Sequence, residues 1–388
     1  MTIKDDIDAL TINDLVQRGS AKWTRFPGCI GAFVAEMDYG TAPAISHALT
    51  HAVENFQLGY LPEPTADALS QSAAAWLALN NGWTVPKEWI RPLPDVLKGL
   101  EAAIELYTEP GAPVILPTPA YMPFFKVPKL SGREIIEVPM LETDGRYELD
   151  LDGIERALTG TNGLFILCNP YNPTGRVFTR DELTALSEVV DRAGARVFSD
   201  EIHAPLVFGD HTHISYASLS ETTAAHTITA ISASKAWNLP GLKCAQVVLS
   251  NEADAAVWDE HGHPFSKGAS ILGVIANTAA YTSGMQWLDE IRDYTAENFK
   301  LLEDLLAEHL PLARYRKPEG TYIAWIDWNA YDLSPDPATF FREHANVALT
   351  NGADCGAPGA GYTRMILAMP SPILKQAVLQ MAAAVNSQ

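Results

Sequence analysis

From Val114 onward the chain alternates short, largely apolar runs with segments of helical periodicity, and that alternation leaves little choice of architecture. The runs are Val114-Ile115-Leu116, Ile135-Ile136-Glu137-Val138, Leu164 to Cys168, Val197-Phe198, Thr227 to Ile231 and Val247-Val248-Leu249. Bounded by Gly, Pro and Asn, they read as strands buried on both faces. Between two of them, Leu183, Leu186, Val189 and Val190 recur at helical spacing behind Thr179, an N-cap whose box is closed by Glu182, and the pattern stops at Gly194. Strand and helix alternating in this way predict an α/β domain with a mostly parallel sheet.

A second unit is expected because the 388 residues exceed what one core holds, about 250 to 300. Past Tyr281 the pattern changes. Ile291, Tyr294, Leu301, Leu302, Leu305 and Leu306 mark a long amphipathic helix that links the two units. Tyr322 to Ile326 and Met365 to Ala368 read as strands of a smaller α+β unit, which the first forty residues join. The expected division is residues 42–285 for the large domain, with 1–41 and 286–388 forming the small one. The glycine-rich stretch Gly356 to Gly361 is a loop ahead of a strand, since no helical pattern follows it as a dinucleotide fingerprint requires.

A formal charge of −20 argues against attraction to nucleic acid or to anionic membranes and favours a small-molecule partner. No apolar run approaches the roughly 18 residues of a membrane span, and Met1 to Leu15 lacks the apolar core of a signal peptide. With 47% apolar residues the chain has ample core material for a soluble globular protein. Cys29, Cys168, Cys244 and Cys355 form no CxxC pair, which suits a reducing cytoplasm. Cys168 and Cys244 adjoin apolar runs and read as small core residues. His211-x-His213 and His261-x-His263 have no third ligand in view and read as solvated loop histidines, so no metal site is expected.

The chemistry is carried by polar segments directly after three of the apolar runs, where open α/β sheets bind ligands. Ser232-Ala233-Ser234-Lys235 follows Thr227 to Ile231 and offers a lysine beside two hydroxyls. A Schiff-base lysine needs partial burial so that its amine can be neutral and nucleophilic. Ser199-Asp200-Glu201-Ile202-His203 places an acid where it could hold a protonated pyridine nitrogen. Asn169-Pro170-Tyr171-Asn172-Pro173-Thr174-Gly175 makes a rigid turn. Each alone has an ordinary reading: a surface lysine, a helix-capping acid, a bare turn. Three such segments after three runs are harder to dismiss.

Asn172-Pro173-Thr174-Gly175, Asp200, Ser232-x-Ser234-Lys235 and the late Arg364, in that order, resemble the fold-type I superfamily of pyridoxal-phosphate-dependent aminotransferases. The resemblance implies a mostly parallel seven-stranded sheet flanked by helices, and pyridoxal 5'-phosphate as cofactor. It implies that Lys235 carries the cofactor as a Schiff base and then moves the substrate Cα proton. Asp200 would pair with the ring nitrogen, Asn172 would bond the phenolic oxygen, and Tyr121 would stack on the ring. Ser232, Ser234 and Lys243, the backbone N–H groups of Val96 and Leu97, and Tyr60 from a partner subunit would hold the phosphate. Arg364 would clamp the substrate carboxylate, with Tyr60, Tyr121 and Phe124 around the substrate. A homodimer sharing its active sites follows from Tyr60. Two departures stand out: His203 takes the place of a tyrosine common among members, as a further cofactor contact, and Asp95-Val96-Leu97-Lys98-Gly99 lacks the usual Gly-Ser or Gly-Thr pair.

Lys22-Trp23, Ala35-Glu36-Met37-Asp38-Tyr39, Gly59-Tyr60-Leu61-Pro62, Asp200-Glu201-Ile202-His203, Ser234 to Asn238 and Gly241 to Ala245 resemble one branch of that superfamily, the MalY- and PatB-like cystathionine β-lyases. Glu36 stands where the branch usually has aspartate. The branch implies α,β-elimination from cystathionine, cysteine or cysteine S-conjugates, releasing a thiol, pyruvate and ammonia. A plain aminotransferase would use the same cofactor contacts. A regulatory protein that keeps the cofactor pocket is a further alternative.

Overall fold

The computed structural model describes residues 2–387. Its central sheet has seven strands: β1 (Ile90–Leu93), β2 (Val114–Thr118), β3 (Ile135–Pro139), β4 (Leu164–Cys168), β5 (Arg196–Asp200), β6 (Thr227–Ile231) and β7 (Ala245–Leu249). They lie in the order β1-β7-β6-β5-β4-β2-β3. All neighbours are parallel except β7, which runs antiparallel to both β6 and β1. The six apolar runs are thus all strands, and β1 is the one that the pattern missed. Its Arg91 and Pro92 break the apolar signal, and a proline is tolerated there because β1 is an edge strand.

Register decides where the chemistry emerges. Cys168 of β4 lies opposite Asp200 of β5, and Asp200 lies opposite Ala230 of β6. The three central strands therefore end level with one another, and the segments that follow them leave from one edge of the sheet.

The helices used below are α1 (Pro43–Glu54), α2 (Glu63–Asn80), α3 (Val96–Tyr107), α4 (Arg180–Ala193), α5 (Ile271–Ser283), α6 (Met285–His309) and α7 (Ser371–Asn386). Helix α4 begins and ends where its sequence dictates. Thr179 Oγ1 accepts from Glu182 N–H at 3.2 Å, Glu182 Oε2 accepts from Thr179 N–H at 2.7 Å, and Gly194 closes the helix at φ 62°. Its four apolar side chains are buried against the sheet, each contributing about 1.5–3 kcal/mol.

A second sheet contains β8 (Arg314–Tyr315), β9 (Ile323–Asp327), β10 (Thr350–Asn351) and β11 (Tyr362–Ile366), in the order β8-β9-β11-β10, with all neighbours antiparallel. The long helix α6 buries Ile291, Tyr294, Leu302, Leu305 and Leu306. Near the N-terminus, Ile30 and Gly31 pair in parallel with Val347 and Ala348. One hydrophobic cluster runs from this unit into Ala233, Ala236 and Trp237, so its core is continuous with the turn after β6. Among the described residues, no helix is long and apolar enough to cross a membrane.

Candidate active site

The turn after β6 is fixed from three directions. Ala233 N–H donates to Asn277 Oδ1 of α5 at 3.0 Å, Ser234 N–H donates to Ser232 Oγ at 3.0 Å, and Ser232 Oγ donates to the Cys244 carbonyl at 2.7 Å. The next residue, Lys235, is directed inward, and its Nζ donates to the Ala35 carbonyl at 2.8 Å. Burial, with the positive charge of Arg364, pulls this amine down to about 8, against the opposing effect of Asp200 and Glu36. A substantial neutral fraction at physiological pH is what a nucleophilic amine requires.

Asp200, at the end of β5, is buried, and its Oδ1 accepts from Ile202 N–H at 3.0 Å. Burial pushes the carboxyl up to about 7, although that N–H and Lys235 both favour the ionised form. His203 is buried beside it. Desolvation, then the charges of Lys235 and Arg364, hold its imidazole neutral, and its Nδ1 has no partner among the described residues. Asn172, on the turn after β4, accepts at Oδ1 from Arg364 Nη1 at 3.2 Å. Arg364 is buried in β11 opposite Trp325, and its Nη2 donates to the Phe33 carbonyl at 3.0 Å. Its Nε is buried without a partner among the described residues.

At the far end of the cavity Asp95 caps α3 by accepting from Lys98 N–H at 3.0 Å. Val96 and Leu97, in the unsatisfied first turn of that helix, line the cavity. Lys243 lies close by in the left-handed region at φ 50°, with Nζ 3.1 Å from Asp95 Oδ2. Tyr121 lines the wall and meets Phe124 edge-on at 5.5 Å.

One cavity of about 160 Å³ thus brings together Val96, Leu97, Tyr121, Asn172, Asp200, His203, Ser232, Ser234, Lys235 and Lys243. Arg364 reaches it through Asn172. Tyr60 does not line it and is fully exposed on the surface. Phe124, expected around the substrate, is instead core: its short 3-10 turn points the ring inward behind Tyr121. Cys168 and Cys244 are buried as expected, but both also border the cavity. All four cysteines are free thiols.

Other residues were not legible as site residues. The branch motif around Asp38 folds into a clamp beneath the lysine turn: Asp38 accepts from Lys22 Nζ at 2.8 Å and from Trp23 Nε1 at 2.7 Å. Asn238 accepts from Met37 N–H and donates to the Met37 carbonyl, both at 2.9 Å. Together they fix the irregular segment whose Ala35 carbonyl receives Lys235. A backbone acceptor leaves no trace in a sequence, although its supporting side chains do. The expectation for His213 needs correction: it is buried, not solvated, because Nε2 meets the buried carboxylate of Glu201 at 2.9 Å. His211, His261 and His263 are exposed, but His261 ends one helix and His263 begins the next, so neither of those two lies in a loop. Among the described residues, no group of three or more His, Cys, Asp or Glu could hold a metal ion.

The donor set fits pyridoxal 5'-phosphate. A buried acid suits the ring nitrogen, and a helix start with nearby hydroxyls and an ammonium suits a phosphate. A depressed lysine suits the aldehyde, and the unpartnered His203 Nδ1 is a buried polar atom that a bound group could satisfy.

The family model for class I and II aminotransferases matches residues 33–379. The chain is 37% identical over 348 residues to a cystathionine beta-lyase of Corynebacterium glutamicum, covering 89% of this chain and 91% of that one. It is 33% identical to the cystathionine beta-lyase PatB of Bacillus subtilis, with 89% and 91% covered. A crystal structure from Corynebacterium diphtheriae, described as a candidate pyridoxal-phosphate-dependent beta-cystathionase, superposes with a TM-score of 0.92 at 39% identity, covering 97% of this chain and 98% of that one.

Proposed function

Because this chain belongs to the class I and II aminotransferase family, in its branch of MalY- and PatB-like carbon–sulfur lyases, we infer that it cleaves the Cβ–S bond of cystathionine, cysteine or a cysteine S-conjugate by α,β-elimination. The observation that carries the reading is one cavity lined by Lys235, Asp200 and Asn172, with Asn172 bonded to Arg364.

Pyridoxal 5'-phosphate supplies an aldehyde that takes up the substrate amine and a ring that accepts the electron pair left at Cα. Lys235 would hold that aldehyde and, as a free amine, would take the Cα proton onto Nζ. Asp200 would keep a proton at the ring nitrogen, Asn172 and His203 would serve the phenolic oxygen, and Tyr121 would cover the ring. The first turn of α3, with Ser232, Ser234 and Lys243, would hold the phosphate. Arg364 takes the substrate carboxylate in a two-point grip and so orients the Cα–H bond toward Lys235. When the Cβ–S bond breaks, the thiolate departs with the sulfur electron pair, and hydrolysis of the remaining three-carbon unit gives pyruvate and ammonia.

A homodimer completes the site. Val53, Phe56 and Leu58 are exposed apolar residues close to Tyr60 in the chain, with Phe56 85% exposed, and a second copy covering them would carry the partner's Tyr60 to the phosphate. Residues 42–285 form the large domain of each protomer, with 1–41 and 286–388 the small one. Free thiols throughout suit a cytoplasmic enzyme.

The test incubates purified protein with L-cystathionine and no keto acid. Equal amounts of homocysteine, pyruvate and ammonia support the reading. Turnover that appears only when a keto acid is added identifies an aminotransferase instead, and cofactor binding with no turnover identifies a regulatory protein.

A further inference from the structure

Two features that the reaction does not use meet in the fold. Glu201 is the part of the Asp200-Glu201-Ile202-His203 motif that faces away from the cavity, and His213 belongs to the histidine pair without a metal. Glu201 is buried, and its two oxygens accept four hydrogen bonds. Oε1 takes Ser199 Oγ at 2.9 Å and Tyr216 N–H at 3.1 Å, and Oε2 takes Ser215 Oγ at 2.7 Å and His213 Nε2 at 2.9 Å. A carboxylate so placed only accepts, so the ring proton of His213 sits on Nε2.

We propose that Glu201, braced by His213, is a positioning residue that holds the end of β5 so that Asp200 stays directed into the cavity and shielded from water. The inference rests on the functional reading above for what Asp200 does, but its geometry is independent of the substrate. Successive side chains at a strand end point to opposite sides. A carboxylate tethered by the 213–216 segment on one side therefore limits the rotation and slippage of the acid on the other. The backbone is fixed as well, since Glu201 N–H donates to the Ala230 carbonyl of β6 at 2.9 Å and Ala204 N–H donates to the Glu201 carbonyl, also at 2.9 Å.

The consequence is measurable at Asp200. Desolvation is the largest cause of its raised proton affinity, and the negative charge of Glu201 acts in the same direction. The other ionisable groups acting on it are Lys235 from the turn after β6, Cys168 at the end of β4, and Tyr121. Loosening the brace admits water and removing its charge removes a repulsion, so both lower the proton affinity of Asp200.

The experiment titrates the full-length, cofactor-free chain labelled with ¹³C at aspartate carboxyls, with Asp200→Asn assigning the signal. In parallel, kcat and KM of the holoenzyme are followed against pH. Glu201→Gln is expected to lower the Asp200 midpoint at least about threefold in proton affinity, and His213→Gln to lower it at least about twofold. KM should stay within about twofold while kcat falls, because Arg364 is untouched. Tyr216→Phe is the comparison. It removes a buried hydrogen bond to His226 Nε2 of 3.1 Å but keeps the N–H that serves Glu201, and it should leave the midpoint where it is. An unchanged midpoint in both Glu201→Gln and His213→Gln overturns the proposal, as does an equal shift in Tyr216→Phe. If Glu201→Gln does not fold, His213→Gln decides alone. Because the titration uses no substrate, a failure of the lyase reading leaves its outcome intact.

Discussion

Replacing Asp38 by asparagine tests whether the clamp beneath the lysine turn depends on charge. Lys22 and Asp38 form an ion pair whose side chains are 0% and 3% exposed, with Nζ and Oδ2 2.8 Å apart. Lys22 Nζ otherwise reaches only carbonyls, those of Glu36 at 3.4 Å and Ala368 at 3.3 Å. Asp38→Asn keeps the shape but leaves an ammonium with no counter-charge. At an effective dielectric of about 20 the direct attraction across this distance is about 6 kcal/mol, and removing one partner of a buried pair destabilises by about 3–5 kcal/mol. A chain of this length unfolds with an entropy of about 0.8 kcal/mol per kelvin, so the midpoint should fall by about 4–6 °C. Thermal unfolding of the holoenzyme, followed by circular dichroism at one fixed scan rate, reads the shift. Lys22→Met combined with Asp38→Asn should recover at least half of the loss, since the orphaned charge is gone. As a contrast, Asp304→Asn breaks an exposed pair with Lys300 and should move the midpoint by less than about 1 °C. A shift below about 1 °C in Asp38→Asn, or a double variant that loses the sum of both single changes, would refute the argument.

Three further outcomes follow from the site and its surroundings. Only a neutral amine attacks an aldehyde, so the rate at which the cofactor-free chain captures pyridoxal 5'-phosphate should fall about tenfold per pH unit below the Lys235 value of about 8 and level off above it. Stopped-flow absorbance measures this, and a pH-independent rate contradicts it. Arg364→Lys should raise KM for an amino-acid substrate about 100-fold while kcat falls less than about tenfold, because a point charge cannot reproduce the two-point grip; steady-state pyruvate release measures both. Burial pulls His226 down to about 4, so the unfolded chain takes up a proton below about 6.5 that the folded chain refuses. Stability should be complete above about 6.5 and decline by about 2–3 kcal/mol as the pH falls toward 4, and His226→Gln should flatten that slope in urea titrations at several pH values.

The sequence by itself determined the six apolar strands, the caps of α4, the long helix α6 and the residue types at three strand ends, because burial on both faces and helical periodicity are written locally. It also carried the likeness that named Lys235, Asp200, Asn172 and Arg364 before any distance was known. Only the tertiary structure decided the rest. β1 is stabilised by pairing at an edge rather than by its own composition. Phe124 turns inward and packs in the core against Tyr121. Ala35 serves Lys235 through a carbonyl that every residue possesses. Glu201 and His213, 12 residues apart, become partners only because the chain folds back beneath the end of β5. Such long-range pairings depend on register and on which groups are kept from water, and neither is a property of any one stretch of residues.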